Sequence, residues 1–243
     1  METALLGSFI SAMATVLGAV PILFIRKLSE KWKDMLVAFT AGIMVSASMF
    51  GLIPQSLNES GLALLTLGLL IGIVSLDLIE KNIPHVDVEN GARVRGFDNK
   101  ALLVLVALFI HNIPEGLSTG FSYASASEGL GTMVAVAIGA QNMPEGLVLA
   151  VFLLRSNVGK LKLLGLVTLT GLMEVVSAVI GYFTASYVDS LIGIGLAFAA
   201  GAMLFIAYKE LIPESHGHGY ERPSTYSFII GLIVMIYIAH WFG

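Results

Sequence analysis

Two nearly identical stretches lie thirty residues apart, His111-Asn112-Ile113-Pro114-Glu115-Gly116-Leu117 and Gln141-Asn142-Met143-Pro144-Glu145-Gly146-Leu147. Each sits inside a long apolar run and places there a carboxylate, a carboxamide and a third side chain able to bind a metal. At about 100° per residue, His111, Asn112 and Glu115 share one face of a helix, and Gln141, Asn142 and Glu145 repeat that face. A charge at mid-bilayer costs about 2.5–3.5 kcal/mol on insertion scales, so it is kept where a partner or an aqueous cavity receives it. An ordinary proline-kinked helix with polar side chains binding neighbours would account for one copy. Two copies in register are different, because two buried anions repel unless a cation or protons neutralise them. Glu174, within Thr170-Gly171-Leu172-Met173-Glu174-Val175-Val176-Ser177, adds a third carboxylate in mid-run. The donors are then oxygen and imidazole, suited to zinc, manganese, iron(II), cobalt or cadmium rather than copper(I). Carboxylates shared between two cations also allow a binuclear site. With no cysteine in the chain, thiolate ligation and disulfides are excluded.

The elements that must position these residues are membrane helices. The chain has 243 residues, 56% hydrophobic and 12% charged, with a mean hydropathy of +0.88; soluble domains carry roughly 25% charged residues. Apolar runs of about 20 residues, long enough to span, occupy roughly 4–25, 35–57, 61–80, 100–123, 131–154, 162–187, 190–211 and 226–242. The expected fold class is an all-α membrane protein of eight transmembrane helices, forming a single domain over 1–243. Met1-Glu2-Thr3 offers no basic n-region, so the first run is expected to remain as a span. Pro114 and Pro144 are expected to bend their helices and free the carbonyls of Ile110 and Ala140.

All 13 Lys and Arg fall in four connections. Arg26, Lys27, Lys31 and Lys33 lie between the first and second runs, and Lys81, Arg93, Arg95 and Lys100 about the connection of the third and fourth. Arg155, Lys160 and Lys162 flank the connection of the fifth and sixth; Lys209 and Arg222 flank that of the seventh and eighth. The positive-inside rule puts these connections in the cytoplasm and both termini outside. No basic patch is left for a nucleic-acid partner. The segment at about 81–99, with Pro84, His85, Asp87, Glu89, Asn90 and Gly91, reads as a flexible cytoplasmic loop. His85, Asp87 and Glu89 belong to a solvated linker, because a mobile loop does not fix convergent metal ligands. Glu214-Ser215-His216-Gly217-His218-Gly219 is more pointed, and offers His216 and His218 beside a carboxylate as a transient ligand group.

Residues 41–56, AGIMVSASMFGLIPQS, align without gaps to 200–215, AGAMLFIAYKELIPES, with identity at seven of sixteen positions. By the expected topology the second run goes outward and the seventh inward, so the two copies are inverted, as are the two motif helices. The offsets, 159 and 30 residues, fit a 3+2+3 arrangement in which the first three helices are mirrored by the last three around the motif pair, an architecture of secondary transporters with sites near the midplane. Beyond Glu115 the motif face continues with Ser118, Thr119 and Ser122, which marks an outer pathway. On the inner side stand Asp77, Glu80, Lys209, Glu210 and Glu214, for which interfacial snorkelling is the plain alternative.

The His-Asn-x-Pro-Glu-Gly and Gln-Asn-x-Pro-Glu-Gly motifs resemble those of the ZIP (Zrt/Irt-like) family of divalent-metal transporters, in particular its GufA-like branch, and the resemblance covers the chain from end to end. It implies eight helices with both termini outside, and uptake of a divalent metal, zinc first and manganese, iron or cadmium besides, into the cytoplasm. The metal is substrate, and no cofactor is implied. The resemblance further implies a binuclear centre, with His111, Glu115, Gln141 and Glu145 at one metal and Asn112, Glu115, Asn142, Glu145 and Glu174 at the other, Glu115 and Glu145 bridging. Many members carry His at the position of Gln141, some carry Asp at that of Asn142, and a His-Glu pair is frequent where this chain has Lys209-Glu210. Those differences leave Glu210, Glu214, His216 and His218 as exit-side ligands. A homodimer in a bacterial inner membrane is also implied; Gly68-x-x-x-Gly72 permits close helix packing. Two other classes compete. An intramembrane metalloenzyme would use the metal to activate water, but the spacing is His-x-x-x-Glu and no nucleophile or oxyanion donor accompanies it. A proton-coupled carrier of an organic anion would need a lumen that attracts anions, whereas three acids without Lys or Arg repel them.

Overall fold

The computed structural model describes residues 1–24, 27–82, 97–156, 158–188 and 190–243, and the backbone alone over 97–103. The expected loop residues Pro84, His85, Asp87, Glu89, Asn90 and Gly91 lie outside the described residues, as do Arg26, Arg93 and Arg95. Every regular element among the described residues is helical. Helix α1 (Glu2–Ala19) tightens into a 3-10 turn at Val20–Leu23, where Pro21 removes a ladder donor. Helix α2 (Glu30–Ala47) begins at Ser29, whose hydroxyl accepts the Trp32 N–H at 3.4 Å, and carries Glu30 in its first turn. It runs through a π-helical turn, Ser48–Leu52, into α3 (Ile53–Asn82). Then follow α4 (Phe97–Ala124), α5 (Leu130–Arg155), α6 (Lys160–Tyr187) and α7 (Leu191–Ile206). A second π-helical turn, Ala207–Leu211, and a helical end, Ile212–Glu214, precede α8 (Glu221–Phe242).

Seven helical stretches among the described residues are long and apolar enough to cross a membrane. One of them, Glu30–Asn82, has 53 residues; as a straight rod it would measure about 80 Å against a hydrocarbon core of about 30 Å. It turns at Gly61, where φ is 74° and ψ is 173°, a conformation open in practice only to glycine. Helix α2 packs on α8 and α3 on α7, and Ser56, before the kink, already meets the Gly193 carbonyl of α7. Pro114 and Pro144 sit inside α4 and α5, which continue through them without interruption. The irregular turns lie elsewhere, in the two π segments.

Those segments stand in corresponding positions of the aligned repeat. Ile53 donates its N–H to the Ser48 carbonyl and Ile212 to that of Ala207, each a reach of five residues just before a proline. Pro54 and Pro213 lack the N–H that a regular turn would need, and the wider turn accommodates the gap. The same offset of 159 residues orders the helix packing. A Cβ on Gly42 would strike the Phe228 carbonyl and one on Gly201 the Leu69 carbonyl; Gly72 faces the Phe198 carbonyl and Gly231 that of Phe39. Around the motif pair, Gly146 faces the Thr15 carbonyl and Gly116 that of Glu174. Backbones meet this closely because small residues let membrane helices approach where no hydrophobic force drives them together. Gly68 and Gly72 are filled by α7 through Ala197 and Phe198, so that stripe is used within the chain.

Helix α7 lies at the centre, with Ala199, Ala200, Ala202 and Met203 fully buried. Leu62, Leu70, Val74 and Leu78 on α3, with Ile230 and Trp241 on α8, are exposed, as apolar faces turned to lipid should be. One end of the bundle gathers basic residues, through Arg155 to Glu30, Lys33 to Glu214 and Lys160 to the Leu23 carbonyl. The opposite end holds Met1, whose ammonium donates to the Tyr182 hydroxyl.

Candidate metal centre

Helix α4 enters from the basic end and α5 from the opposite one, so equal-sounding motifs meet at mid-bundle running in opposite directions. Glu115 and Gln141, one from each helix, are fully buried, and the Gln141 amide donates to Glu115 Oε1 at 2.5 Å. That bond uses one donor and leaves two acceptors. Glu115 Oε2 and Gln141 Oε1 are both buried and accept no hydrogen bond from the chain. An unsatisfied buried acceptor costs about 1–3 kcal/mol, more when charged, and two of them from facing helices suit a cation.

Glu174, on α6 and also fully buried, accepts from the Ser11 hydroxyl and, at 2.7 Å, from the Asn142 amide. Asn142 Nδ2 also donates to the Ser11 carbonyl at 3.2 Å, and Asn112 Nδ2 to the Thr170 carbonyl at 2.6 Å. Ser11 and Thr170 are again 159 residues apart, so the two asparagines hold corresponding carbonyls. On the same offset Glu174 corresponds to Thr15, whose hydroxyl is buried without a partner. The centre is therefore symmetric in its backbone and asymmetric in charge, one half carrying a carboxylate where the other has a hydroxyl.

Toward the basic end the site opens. A cavity of about 250 Å³ is lined by His111 and Glu145 at its head and by Glu210, Glu80, Glu30 and Glu214 along its wall. His111 Nε2 lies 3.1 Å from Glu210 Oε2, which joins α4 to the π turn after α7. Toward the other end Ser118, Thr119 and Ser122 are buried; Ser118 and Thr119 donate to the Glu115 carbonyl at 2.7 and 3.2 Å, and the cavity does not reach them. Among the described residues no three His, Asp or Glu side chains close on one point as a ready cage. The residues singled out from sequence form two layers instead, Asn112, Glu115, Gln141, Asn142 and Glu174 packed, His111 and Glu145 facing the cavity.

The exit-side residues divide. Glu210 joins His111. Glu214 pairs with Lys33 at 3.0 Å at the cavity wall. His216 donates from Nδ1 to the Ile212 carbonyl at 2.9 Å and so closes its own helix end. His218 donates from Nδ1 to Asp34 at 2.8 Å and places Nε2 3.5 Å from Glu30. Sequence reasoning missed Ser11, Asp34 and Glu30. Asp34, fully buried in α2, looks in sequence like an interfacial acid of a helix start. Ser11 could have been found by subtracting the repeat offset from Thr170.

A family model described as ZIP Zinc transporter matches residues 79–239. Zinc transporter GufA of Myxococcus xanthus is 35% identical over 247 residues, covering 97% of each chain. Zinc transporter ZIPB of Bordetella bronchiseptica is 31% identical, over 97% of this chain and 80% of its own. Zinc transporter ZupT of Clostridium perfringens is 29% identical, over 96% of this chain and 93% of its own.

Proposed function

The chain belongs to the ZIP zinc transporter family, so it is a multi-pass membrane transporter of divalent metal and not an enzyme, and from that premise we propose a specific route. Zinc, with manganese, iron(II) and cadmium as further substrates, passes into the cytoplasm through a binuclear site on α4, α5 and α6. His111, Glu115, Gln141 and Glu145 hold one ion; Asn112, Glu115, Asn142, Glu145 and Glu174 hold the other, with Glu115 and Glu145 shared. The observation that carries this reading is the pair of buried, unsatisfied acceptors Glu115 Oε2 and Gln141 Oε1, packed in the layer next to the His111 and Glu145 that face the cavity.

Glu30–Asn82 is taken to cross twice, reversing at Gly61, which makes eight spans in a 3+2+3 inverted repeat within one domain over 1–243. The glycine and π-turn contacts that recur at 159 residues support that arrangement. The basic end is the cytoplasmic one by the positive-inside rule, which puts both termini outside in a bacterial inner membrane. The conformation is then open inward and closed outward at Ser118, Thr119 and Ser122, one of the two states that alternating access requires. An ion leaves His111 by way of Glu210 and the carboxylate-lined cavity. A homodimer must pack through a face other than Gly68 and Gly72. The test is zinc uptake into proteoliposomes: Glu115→Ala abolishes it on this reading, and uptake equal to the parent's refutes the site.

A further inference from the structure

Among the carboxylates lining the inner cavity outside the centre, Glu30 holds Arg155, Glu214 holds Lys33 and Glu80 holds Lys209, while Glu210 meets His111. The Lys209 pair is the one adjoining the His111 contact, since Glu210 follows Lys209 in the chain. Glu80 holds Lys209 and lines the same cavity as Glu210, and Glu210 holds His111. Lys209 Nζ also lies 3.8 Å from Asp77 and 4.8 Å from the centroid of the Phe205 ring. Two contacts thus line the cavity, His111 with Glu210 and Glu80 with an ammonium, and Asp77 lies beside that ammonium.

The fold does not require these charges. At the corresponding positions of the other repeat copy, Asp77 is replaced by Ile236, Glu80 by Ala239, Lys209 by Phe50 and Glu210 by Gly51. The same helix pairing is built there from apolar and small residues. The charged group is therefore particular to the inner exit.

We propose that the Lys209 ammonium fills the cation position between Asp77 and Glu80, next to Glu210 in the chain, so that these acids draw an ion off His111 without retaining it. The proposal rests on the reading of His111 and Glu145 as ligands of the transported ion. Asp77 and Glu80 offer oxygen donors of the kind a divalent cation takes, and without the ammonium they would hold the product at the exit. A lysine supplies a compact point charge on a flexible stem; it neutralises the acids, cannot diffuse away and yields by swinging aside. Lys209 is on this account a residue that sets release.

Equilibrium zinc counting on the purified, desalted full chain tests this, together with zinc release to a chelator followed by stopped flow. Lys209→Met is expected to bind one more zinc ion than the parent and to release zinc several-fold more slowly. Lys209→Met combined with Glu80→Gln is expected to return to the parent count, which a merely structural ion pair would not explain, since it changes no stoichiometry. Folded Lys209→Met with the parent count and parent release overturns the proposal. So does a lower count in Glu80→Gln alone, a variant that keeps Lys209 and serves if Lys209→Met does not fold, because Glu80 would then be a ligand despite the ammonium. Absence of zinc from the parent chain overturns instead the reading of the centre on which the proposal rests.

Discussion

His111 Nε2 and Glu210 Oε2 stand 3.1 Å apart, so a motif ligand on α4 is already bonded to the turn that follows α7. On the proposed route, an ion held by that imidazole nitrogen must displace Glu210 or share it and leave through the cavity beyond. Glu210→Gln keeps the shape and removes the charge that receives the ion. Transport is expected to fall several-fold while the equilibrium number of bound ions stays that of the parent. A lost ion with unimpaired release would make Glu210 a ligand of the resting site instead.

Gln141 is the neutral partner of Glu115 in the packed layer, and its buried Oε1 is a carboxamide oxygen without a hydrogen bond. Neutral imidazole is a better donor to borderline metals than that oxygen. Gln141→His is expected to shift competition toward zinc against manganese, read from uptake of each ion in the presence of the other. Identical competition in variant and parent would remove Gln141 from the metal's contacts.

Ligands bind a metal in their deprotonated form, so metal entry releases protons and acid opposes it. Zinc uptake is expected to decline as the external side is taken from about pH 8 to about pH 5, through the range in which an imidazole gains its proton. The sign follows from competition: each proton on His111 or a carboxylate occupies an acceptor that the ion needs. A profile flat across that interval contradicts the donor set.

The motif residues were legible because a carboxylate in an apolar run has few explanations, and two in register have fewer. The repeat was legible at 41–56 and 200–215, where identity survives. It was not legible between α1 and α6, where Ser11 answers Thr170 and Thr15 answers Glu174, because what is preserved there is the position of a carbonyl. The kink at Gly61 falls where the sequence already parts its second and third apolar runs, at Asn58-Glu59-Ser60; the backbone dihedral pair that makes it was not legible. His218 and Asp34 meet across 184 residues, a pairing for which no local pattern exists.

Helix spacing around the centre is set by glycine. A Cβ at Gly146 would strike the Thr15 carbonyl, whereas one at Gly165 meets nothing within 4 Å. Gly146→Ala is expected to destabilise by about 1–3 kcal/mol through overpacking, lowering the melting temperature in detergent. Gly165→Ala, in open space on α6, is expected to change it in the opposite direction, since alanine favours a helix by about 1 kcal/mol over glycine. Equal shifts in the two variants would mean that α1 and α5 are not in close contact.

The bridging of two ions by Glu115 is tested most directly by counting metal. Glu174 is proposed to touch one ion and Glu115 both, although each is a fully buried acid in the same bundle. Equilibrium zinc counting on purified Glu174→Ala and Glu115→Ala, beside the parent, separates the two roles. The account predicts one ion fewer than the parent in Glu174→Ala, with the His111 and Gln141 side still loaded, and a lower count again in Glu115→Ala. Equal stoichiometry in the two variants would contradict it.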